Sequence, residues 1–191
     1  MDFRPTPLPG VMVIAPRRFD DARGFFMETY HAGKFAAAGL TPRFVQFNHA
    51  RSVQHTLRGL HFQFPNPQAK LVRCLTGRVF DVTVDLRRGA ATYGRWFGLE
   101  LSADNGLELF IPEGFAHGYL VLSDTADVEY AVNSLYEPKG QLGIAWNDPD
   151  VAVAWPAAAP LLSTKDQLLP RLRDLDNPFA GWDEKAGRSG G

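Results

Sequence analysis

Glycine and proline divide this chain into short segments, and this division most strongly limits the folds open to it. The 191 residues include 18 glycines and 14 prolines. Turn signals such as Thr76-Gly77 and Pro112-Glu113-Gly114 separate segments in which apolar and polar residues alternate. Many short strands separated by turns predict an all-β sandwich or barrel with a few short peripheral helices.

The same pattern predicts three local features. Residues 70–75 and 78–86 flank Thr76-Gly77, and two strands around a tight turn indicate a β-hairpin. The last predicted strand covers residues 143–146. Farther along the chain, Ser163 is predicted to cap a short helix, because its hydroxyl can accept a hydrogen bond from a backbone N–H of the first turn.

The length of the chain predicts a single domain, residues 1–191, that is large enough to bury a full core. We expect the core to run from about residue 11 to about residue 170, and the C-terminal tail, about residues 183–191, to be flexible. Because Cys74 is the single cysteine, an internal disulfide is excluded.

Charge and hydropathy exclude several classes of partner. The formal net charge is −1, which gives no electrostatic reason to expect nucleic acid or an anionic membrane as a partner. No stretch is apolar for long enough to span a membrane, and the N-terminus lacks the apolar run of a signal peptide. We therefore expect a cytoplasmic protein.

One predicted strand, residues 57–64, carries polar side chains where a core strand would be apolar. His61 and Gln63 share one face of this strand, which makes a poor core but a plausible pocket wall. Strict alternation points Arg58 away from His61, but a bulge at Gly59 would bring both to one side. A lone histidine in such a strand is more often a hydrogen-bonded structural residue, and that alternative stays open here.

Residues 112–117, Pro-Glu-Gly-Phe-Ala-His, resemble the second conserved motif of the cupins, which are small jelly-roll β-barrels. The first cupin motif normally adds two histidines and a glutamate as metal ligands. Here it retains only His61, and Gln63 stands in the place of the second histidine. Because a catalytic metal needs about three protein ligands, His61 and His117 are too few, and we predict no catalytic metal.

An ordered set of motifs resembles one cupin family more closely, the dTDP-4-dehydrorhamnose 3,5-epimerases. The resemblance extends from about residue 11 to about residue 170 at compatible spacings, and Gln141 stands where this family often has glutamate. It implies epimerisation without a cofactor, by a homodimer with exchanged N-terminal strands that complete the partner's site. The matching segments are residues 21–28, 46–49, 57–63, 68–72, 80–87, 112–118, 146–149 and 163–166.

The resemblance also implies roles for individual residues. His61 corresponds to the general base, and Asp166 to the carboxylate that orients it. Tyr130 corresponds to the acid on the opposite face of the sugar, and Lys70 to the cation beside the developing enolate. Tyr136 corresponds to the aromatic residue that stacks on thymine. The other positions that match substrate-binding residues of the family are Arg23, Phe26, Glu28, Gln46, Asn48, Arg58, His117 and Lys165.

These residue types suit the removal of a proton next to a ketone. A histidine with a pKa of about 6.5 can act as a base near neutral pH, and a carboxylate on its far ring nitrogen stabilises the imidazolium. A lysine stabilises the charge on the carbonyl oxygen, and a tyrosine can return a proton to the other face. The implied reaction is epimerisation of dTDP-4-dehydro-6-deoxy-D-glucose at C3 and C5 to dTDP-4-dehydro-L-rhamnose.

Three alternatives stay open at this point. The same base and acid would serve an enzyme that inverts C3 alone in a deoxysugar natural-product pathway. A non-catalytic cupin that binds a nucleotide sugar would bind the ligand without exchanging its protons. A metal-dependent cupin oxygenase would need bound metal, and the missing second histidine argues against it.

Overall fold

The computed structural model describes residues 1–179, so the tail expected at about residues 183–191 lies outside the described residues. The strands are β1 (Asp2–Pro5), β2 (Met12–Ala15), β3 (Arg18–Asp21), β4 (Gly24–Met27), β5 (Gln46–Val53), β6 (Leu57–Gln63), β7 (Lys70–Thr76), β8 (Arg78–Asp85), β9 (Trp96–Ser102), β10 (Glu108–Ile111), β11 (Phe115–Val121), β12 (Thr125–Val132) and β13 (Gln141–Gly143). The helices are α1 (Ala32–Ala37), α2 (Thr164–Gln167) and a 3-10 turn (Leu172–Asp174).

Two antiparallel sheets form the body of the molecule. The first has the strand order β1-β2-β10-β7-β12-β5, and the second has the order β13-β6-β11-β8-β9. Strands β3 and β4 form a separate two-stranded hairpin. Two packed sheets with long connections between non-neighbouring strands make a jelly roll, so the all-β prediction is confirmed.

The main core lies between the two sheets and takes residues from both. Val72 and Leu109 belong to the six-stranded sheet, Val79 and Phe115 to the five-stranded sheet, and all four are fully or almost fully buried in one cluster. The outer face of the six-stranded sheet is covered by α1, whose Phe35 is almost completely buried. Apolar burial of this kind is the dominant contribution to the stability of the fold.

The C-terminal segment, residues 172–179, covers the outer face of the five-stranded sheet. Val82 and Val84 of β8 pack there in one cluster with Leu172 and Phe179. Because side chains alternate along a strand, this outward apolar face leaves Asp81 on the inner face, where it is fully buried. The inner face of β8 therefore brings a carboxylate into the space between the sheets.

Strands β7 and β8 are consecutive in the chain, yet they lie in different sheets. Strand β7 pairs with β10 and β12, and β8 pairs with β9 and β11, so neither has an edge free for the other. The hairpin prediction for residues 70–86 is therefore wrong. Gly77, at φ 71°, makes the crossing turn, and a Cβ there would lie 2.2 Å from the carbonyl oxygen of Thr125.

The last strand begins and ends earlier than predicted. Strand β13 pairs with β6, whereas the prediction was residues 143–146. The chain leaves the sheet because the Ala145 N–H donates to the carbonyl oxygen of Pro170 at 2.8 Å. The predicted cap of α2 is confirmed, since the Ser163 hydroxyl accepts a hydrogen bond from the Asp166 N–H at 3.1 Å.

Candidate active site

A bulge in β6 places two of the predicted site residues on the same side of the sheet. In the pairing with β11, His61 lies opposite His117 and Arg58 lies opposite Tyr119, so three steps along β6 match two along β11. Gly59 stands inside this irregularity with φ 126°, and a Cβ there would lie 2.6 Å from the facing backbone. The register shift that the sequence allows at Gly59 is thus present.

A cavity of about 550 Å³ opens between the two sheets. Strands β6 and β11 supply one wall, β5, β7 and β12 supply the other, and residues 161–169 cover one side. The volume is in the range that small-molecule sites usually have, about 300–1,000 Å³. Seven predicted site residues line the cavity: Arg58, His61, Lys70, His117, Tyr130, Lys165 and Asp166.

His61 and Asp166 form a hydrogen-bonded pair at this cavity, with 2.6 Å between Nε2 and Oδ1. Burial opposes ionisation of Asp166, but the hydrogen bonds from His61 and Ser163 outweigh it and hold the pKa of Asp166 below its ordinary value. With Asp166 ionised, Nε2 of His61 carries the hydrogen, and Nδ1 is left to accept a proton. The pair therefore has the form of a base and its orienting carboxylate.

A second histidine–carboxylate pair lies deeper in the same cavity. Nε2 of His117 lies 2.9 Å from a carboxylate oxygen of Asp81, and both side chains are buried. Burial lowers the pKa of His117, although Asp81 opposes the shift. Asp81 was not among the predicted site residues, and the available signal was its place on the non-apolar face of β8.

Lys70 brings a buried cation to the cavity. It is only 8% exposed, and burial lowers its pKa to about 8 while Asp81 acts in the opposite direction. Within residues 1–179, no carboxylate lies at ion-pair distance from its Nζ. An unpaired ammonium in a partly dry cavity is well suited to stabilise an oxyanion.

Tyr130 and His61 face the cavity from opposite walls. Tyr130 belongs to β12 of the six-stranded sheet, whereas His61 belongs to β6 of the five-stranded sheet. Burial raises the pKa of Tyr130, and the guanidinium of Arg58 opposes this rise. A ligand between the sheets would therefore have an imidazole on one face and a phenol on the other.

Three predicted binding residues lie beside the cavity and do not line it. The side chain of Gln46 donates to Asn48 at 2.8 Å and accepts from the Tyr136 backbone N–H at 2.9 Å. The Tyr136 hydroxyl donates to Gln141 at 2.8 Å, and Gln141 lines the cavity. The three residues thus form a polar chain that reaches the cavity rim, and Tyr136 remains 47% exposed.

The remaining three predicted residues do not reach the cavity of their own chain. Arg23 lies in the turn of the β3–β4 hairpin, where its side chain is 90% exposed and pairs with Asp21. Phe26 is 69% exposed, and Glu28 pairs with Lys34 at 2.5 Å. In a single copy of the chain, Arg23 and Phe26 are exposed and Glu28 is occupied by its ion pair with Lys34.

Residues 1–179 contain no group of three or more histidine, cysteine, aspartate or glutamate side chains placed to hold a metal ion. Within the same residues, no helix has the length and apolar character needed to cross a bilayer.

Comparison with known proteins finds epimerases that act on dTDP-sugars. The family model described as dTDP-4-dehydrorhamnose 3,5-epimerase matches residues 5–174. The 3,5-epimerase of Methanothermobacter thermautotrophicus is 48% identical over 175 residues, which is 90% of this chain and 95% of that protein. A dTDP-4-dehydrorhamnose 3-epimerase of Streptomyces niveus is 41% identical over 91% of this chain and 86% of its own length.

A solved structure shows the same fold. The dTDP-6-deoxy-D-glucose-3,5-epimerase of Legionella pneumophila, in complex with dTDP-4-keto-L-rhamnose, superimposes with a TM-score of 0.90 at 40% sequence identity. The match covers 94% of this chain and 96% of the other.

Proposed function

The chain belongs to the dTDP-4-dehydrorhamnose 3,5-epimerase family, and we propose that it converts dTDP-4-dehydro-6-deoxy-D-glucose to dTDP-4-dehydro-L-rhamnose by inverting C3 and C5. The observation that supports this most strongly is the cavity in which the His61–Asp166 pair faces Tyr130, with Lys70 at the same site. The reaction is neutral in oxidation state because the C4 ketone is already present. It therefore needs no redox cofactor, and we assign none.

In the first step, His61 removes a proton next to the ketone. Nδ1 accepts the proton, and Asp166 stabilises the resulting imidazolium through Nε2. The electron pair of the broken C–H bond moves to the C4 oxygen as an enolate, and the Lys70 ammonium stabilises its charge. His117 faces the same cavity and, held by Asp81, offers a polar contact to the sugar.

In the second step, Tyr130 gives a proton to the same carbon from the opposite face. The C–H bond forms as the phenolic O–H breaks, so the centre is inverted and a phenolate remains until a proton returns from solvent. Arg58 lowers the pKa of Tyr130 against the effect of burial, which favours this donation. The His61 imidazolium then releases its proton to solvent, which restores the base. Two rounds of the same chemistry, at C3 and at C5, complete the conversion.

The nucleotide end is assigned to the polar rim of the cavity. Arg58 and Lys165 line the cavity and can pair with a diphosphate. Gln46 and Asn48 stand next to Tyr136, whose half-exposed ring would stack on thymine.

Product analysis in deuterated water tests this function. We expect wild-type protein to give a 4-keto-L-rhamnose product with deuterium at C3 and at C5 by proton NMR. Deuterium and inversion at C3 alone would identify a 3-epimerase, the activity named for the Streptomyces niveus relative. Binding of the nucleotide sugar without exchange would identify a non-catalytic binding protein.

We further propose that the active protein is a homodimer with exchanged N-terminal strands. The β3–β4 hairpin exposes Phe25 and Phe26, and β5, an edge strand of the six-stranded sheet, exposes Phe47. Exposed aromatic side chains of this kind are typical of an interface. The exchange would bring Arg23 and Glu28 to the partner's cavity. No nucleic acid or membrane partner is proposed, and the cytoplasm is the proposed location.

Subunit mixing tests this exchange. Homodimers of Arg23→Ala and of His61→Ala are expected to be nearly inactive, but a mixed dimer would retain one intact site, because Arg23 of one subunit serves His61 of the other. Equal mixtures, after subunit exchange, should recover roughly a quarter of wild-type activity. If each hairpin served its own subunit, the mixture would stay as inactive as its parents.

A further inference from the structure

Ser52 is a buried hydroxyl behind the cavity that the proposed reaction does not use. It is 6% exposed on β5, and its Oγ accepts a hydrogen bond from Nε of Arg58 at 3.0 Å. Strand β5 belongs to the six-stranded sheet and β6 to the five-stranded sheet. The bond therefore joins the two walls of the cavity and ties a residue of one sheet to the other.

Among the described residues, the bond to Ser52 is the one side-chain hydrogen bond that Arg58 makes. Within residues 1–179, no carboxylate lies at ion-pair distance from its guanidinium. A neutral hydroxyl fixes the direction of the side chain and leaves its full positive charge, with the terminal N–H groups, available to the cavity. Without it, a long side chain on an open rim would sample several rotamers.

The held guanidinium lies near two phenols of the cavity. It lowers the pKa of Tyr130 and of Tyr119, against the effect of burial on each. The Ser52 hydroxyl lies near Tyr119 as well, although the phenol oxygen of Tyr119 makes no hydrogen bond within the described residues. Burial has the larger effect on the pKa of Tyr130, and the position of Arg58 sets how strongly that effect is opposed.

Among the described residues, the other ionisable groups that face Tyr130 are not among those that lower its pKa, as Arg58 does. Tyr136, from the loop after β12, raises the pKa of Tyr130, and Tyr119 approaches from β11. Lys70 of β7 and His61 of β6 line the same cavity. Strand β5 places the uncharged Asn48 opposite Tyr130.

We propose that Ser52 is a positioning residue that holds the Arg58 guanidinium beside the Tyr130 phenol. This inference rests on the proposed function, in which Tyr130 donates the second proton. Held in place, Arg58 stabilises the phenolate that remains after the donation. Ser52 touches neither the substrate nor the transferred proton, and it acts through Arg58 alone.

The first test removes the hydroxyl. In Ser52→Ala, loss of one hydrogen bond of about 1 kcal/mol corresponds to a fall in kcat of roughly fivefold. The pKa of Tyr130, measured from ultraviolet absorbance of its phenolate by difference against the matching Tyr130→Phe variant, should rise by several tenths of a unit. Ser52→Thr retains the hydroxyl and should recover most of both losses.

A double-mutant cycle identifies the route of the effect. In an Arg58→Ala background, Ser52→Ala should cause no further loss of kcat, because the group that it positions is gone. Ser102→Ala is the matched control, since Ser102 is also buried, on β9 and outside the cavity lining, and its hydroxyl accepts a hydrogen bond from the Asn105 N–H at 3.1 Å. That control should leave kcat and the Tyr130 pKa unchanged.

Several results would overturn the inference. One is an unchanged pKa of Tyr130 in Ser52→Ala. Another is a loss of kcat on Ser52→Ala that is as large in the Arg58→Ala background as in the wild type. If Ser52→Ala lowers the melting temperature too far to assay, Ser52→Cys keeps the volume with a weaker acceptor and should show the same two changes. A wild-type protein with no turnover would instead contradict the proposed function, so the two failures are distinguishable.

Discussion

Burial changes the charge state of residues that line the cavity, and Lys70 leads to the first prediction. Its pKa is lowered to about 8, so the ammonium is present below that pH and is lost as the pH rises through it. Because the enolate needs this cation, kcat/KM should fall above about pH 8. Lys70→Arg keeps its charge over this range and should abolish that limb of the pH profile, whatever its absolute rate.

Steady-state kinetics in overlapping buffers from acid to alkaline pH would measure this limb. kcat/KM is the correct quantity because it reports ionisations of the free enzyme. A limb at the same pH in Lys70→Arg would show that another group is responsible.

Glu108 leads to a prediction about stability. Its side chain is fully buried, and neither carboxylate oxygen has a hydrogen-bond partner within the described residues. Burial raises its pKa to about 8, while Arg73, which pairs with Glu129 at 2.8 Å, only partly opposes the rise. The folded state binds this proton more tightly than the unfolded state, so its contribution is complete at acid pH and is lost as the pH rises towards 8.

Glu108→Gln should remove this dependence. The free energy of unfolding of the wild type should fall by a few kcal/mol relative to the variant between about pH 5 and pH 8. Urea denaturation at both pH values would measure the difference, with Glu100→Gln as the control, because Glu100 is an exposed glutamate on β9. Parallel pH dependence in wild type and Glu108→Gln would refute the prediction.

For single residues, the sequence predicts which side chains take part in the site better than it predicts the hydrogen-bond partners of buried charges. The Ser163 cap and the face that carries His61 follow from local pattern. The contact between Asp81 and His117 does not, because an aspartate in an alternating strand usually faces solvent. Its burial depends on the C-terminal segment, which covers the opposite face of β8.

Among the secondary-structure elements, β6 contributes most to the site, and Gly59 is its least replaceable residue. A Cβ at Gly59 would meet the Cα of Gly118 at 2.6 Å, and its φ of 126° disfavours any L side chain. We expect Gly59→Ala to lower the free energy of unfolding by about 2–4 kcal/mol, through strain and a backbone clash. It should also reduce activity in the molecules that fold, because the bulge aligns Arg58 with His61.

Gly39→Ala is the control that separates backbone strain at a positive φ from the clash of a Cβ with the facing strand. Gly39 also has a positive φ, 78°, but a Cβ there would meet nothing within 4 Å. We expect this control to cost about 1 kcal/mol and to leave activity intact. Chemical denaturation of both variants measures the difference, and equal losses would argue against the close approach at Gly59.

The bulge and the misassigned hairpin show what a local pattern can predict about elements. A glycine inside a predicted strand suggests a bulge, because the cause is local. The turn at Thr76-Gly77 looks the same whether the chain returns to the same sheet or crosses to the other. That choice depends on which strands occupy the edges of β7, and those strands are distant in sequence.

For the whole molecule, packing continues beyond residue 170. Leu172 and Phe179 are buried against the five-stranded sheet, and Phe179 lies 5.5 Å from Phe62, ring centre to ring centre. A chain that ends after residue 170 should lose several kcal/mol of stability, since each large buried side chain contributes about 1.5–3 kcal/mol. A chain that ends after residue 182 keeps this packing and serves as the matched control in thermal denaturation. Equal melting temperatures for the two truncations would contradict this expectation.

The completeness of the site is also a property of the whole molecule. Seven of the thirteen predicted residues meet in one cavity, while Arg23, Phe26 and Glu28 stay on an exposed hairpin or just after it. Spacing along the chain indicates which residues belong to a site. It does not indicate whether they reach it within one copy of the chain, because that depends on contacts between copies.

The central claim is that the His61 imidazole removes the proton next to the ketone. The most direct measurement is incorporation of deuterium from solvent into dTDP-4-dehydro-6-deoxy-D-glucose by a folded His61→Ala variant, followed at C3 and C5 by NMR. General-base catalysis contributes about 10²–10⁴-fold to a rate. We therefore predict that the exchange rate at both positions falls at least about 100-fold relative to wild type. Exchange at the wild-type rate in His61→Ala would contradict the claim.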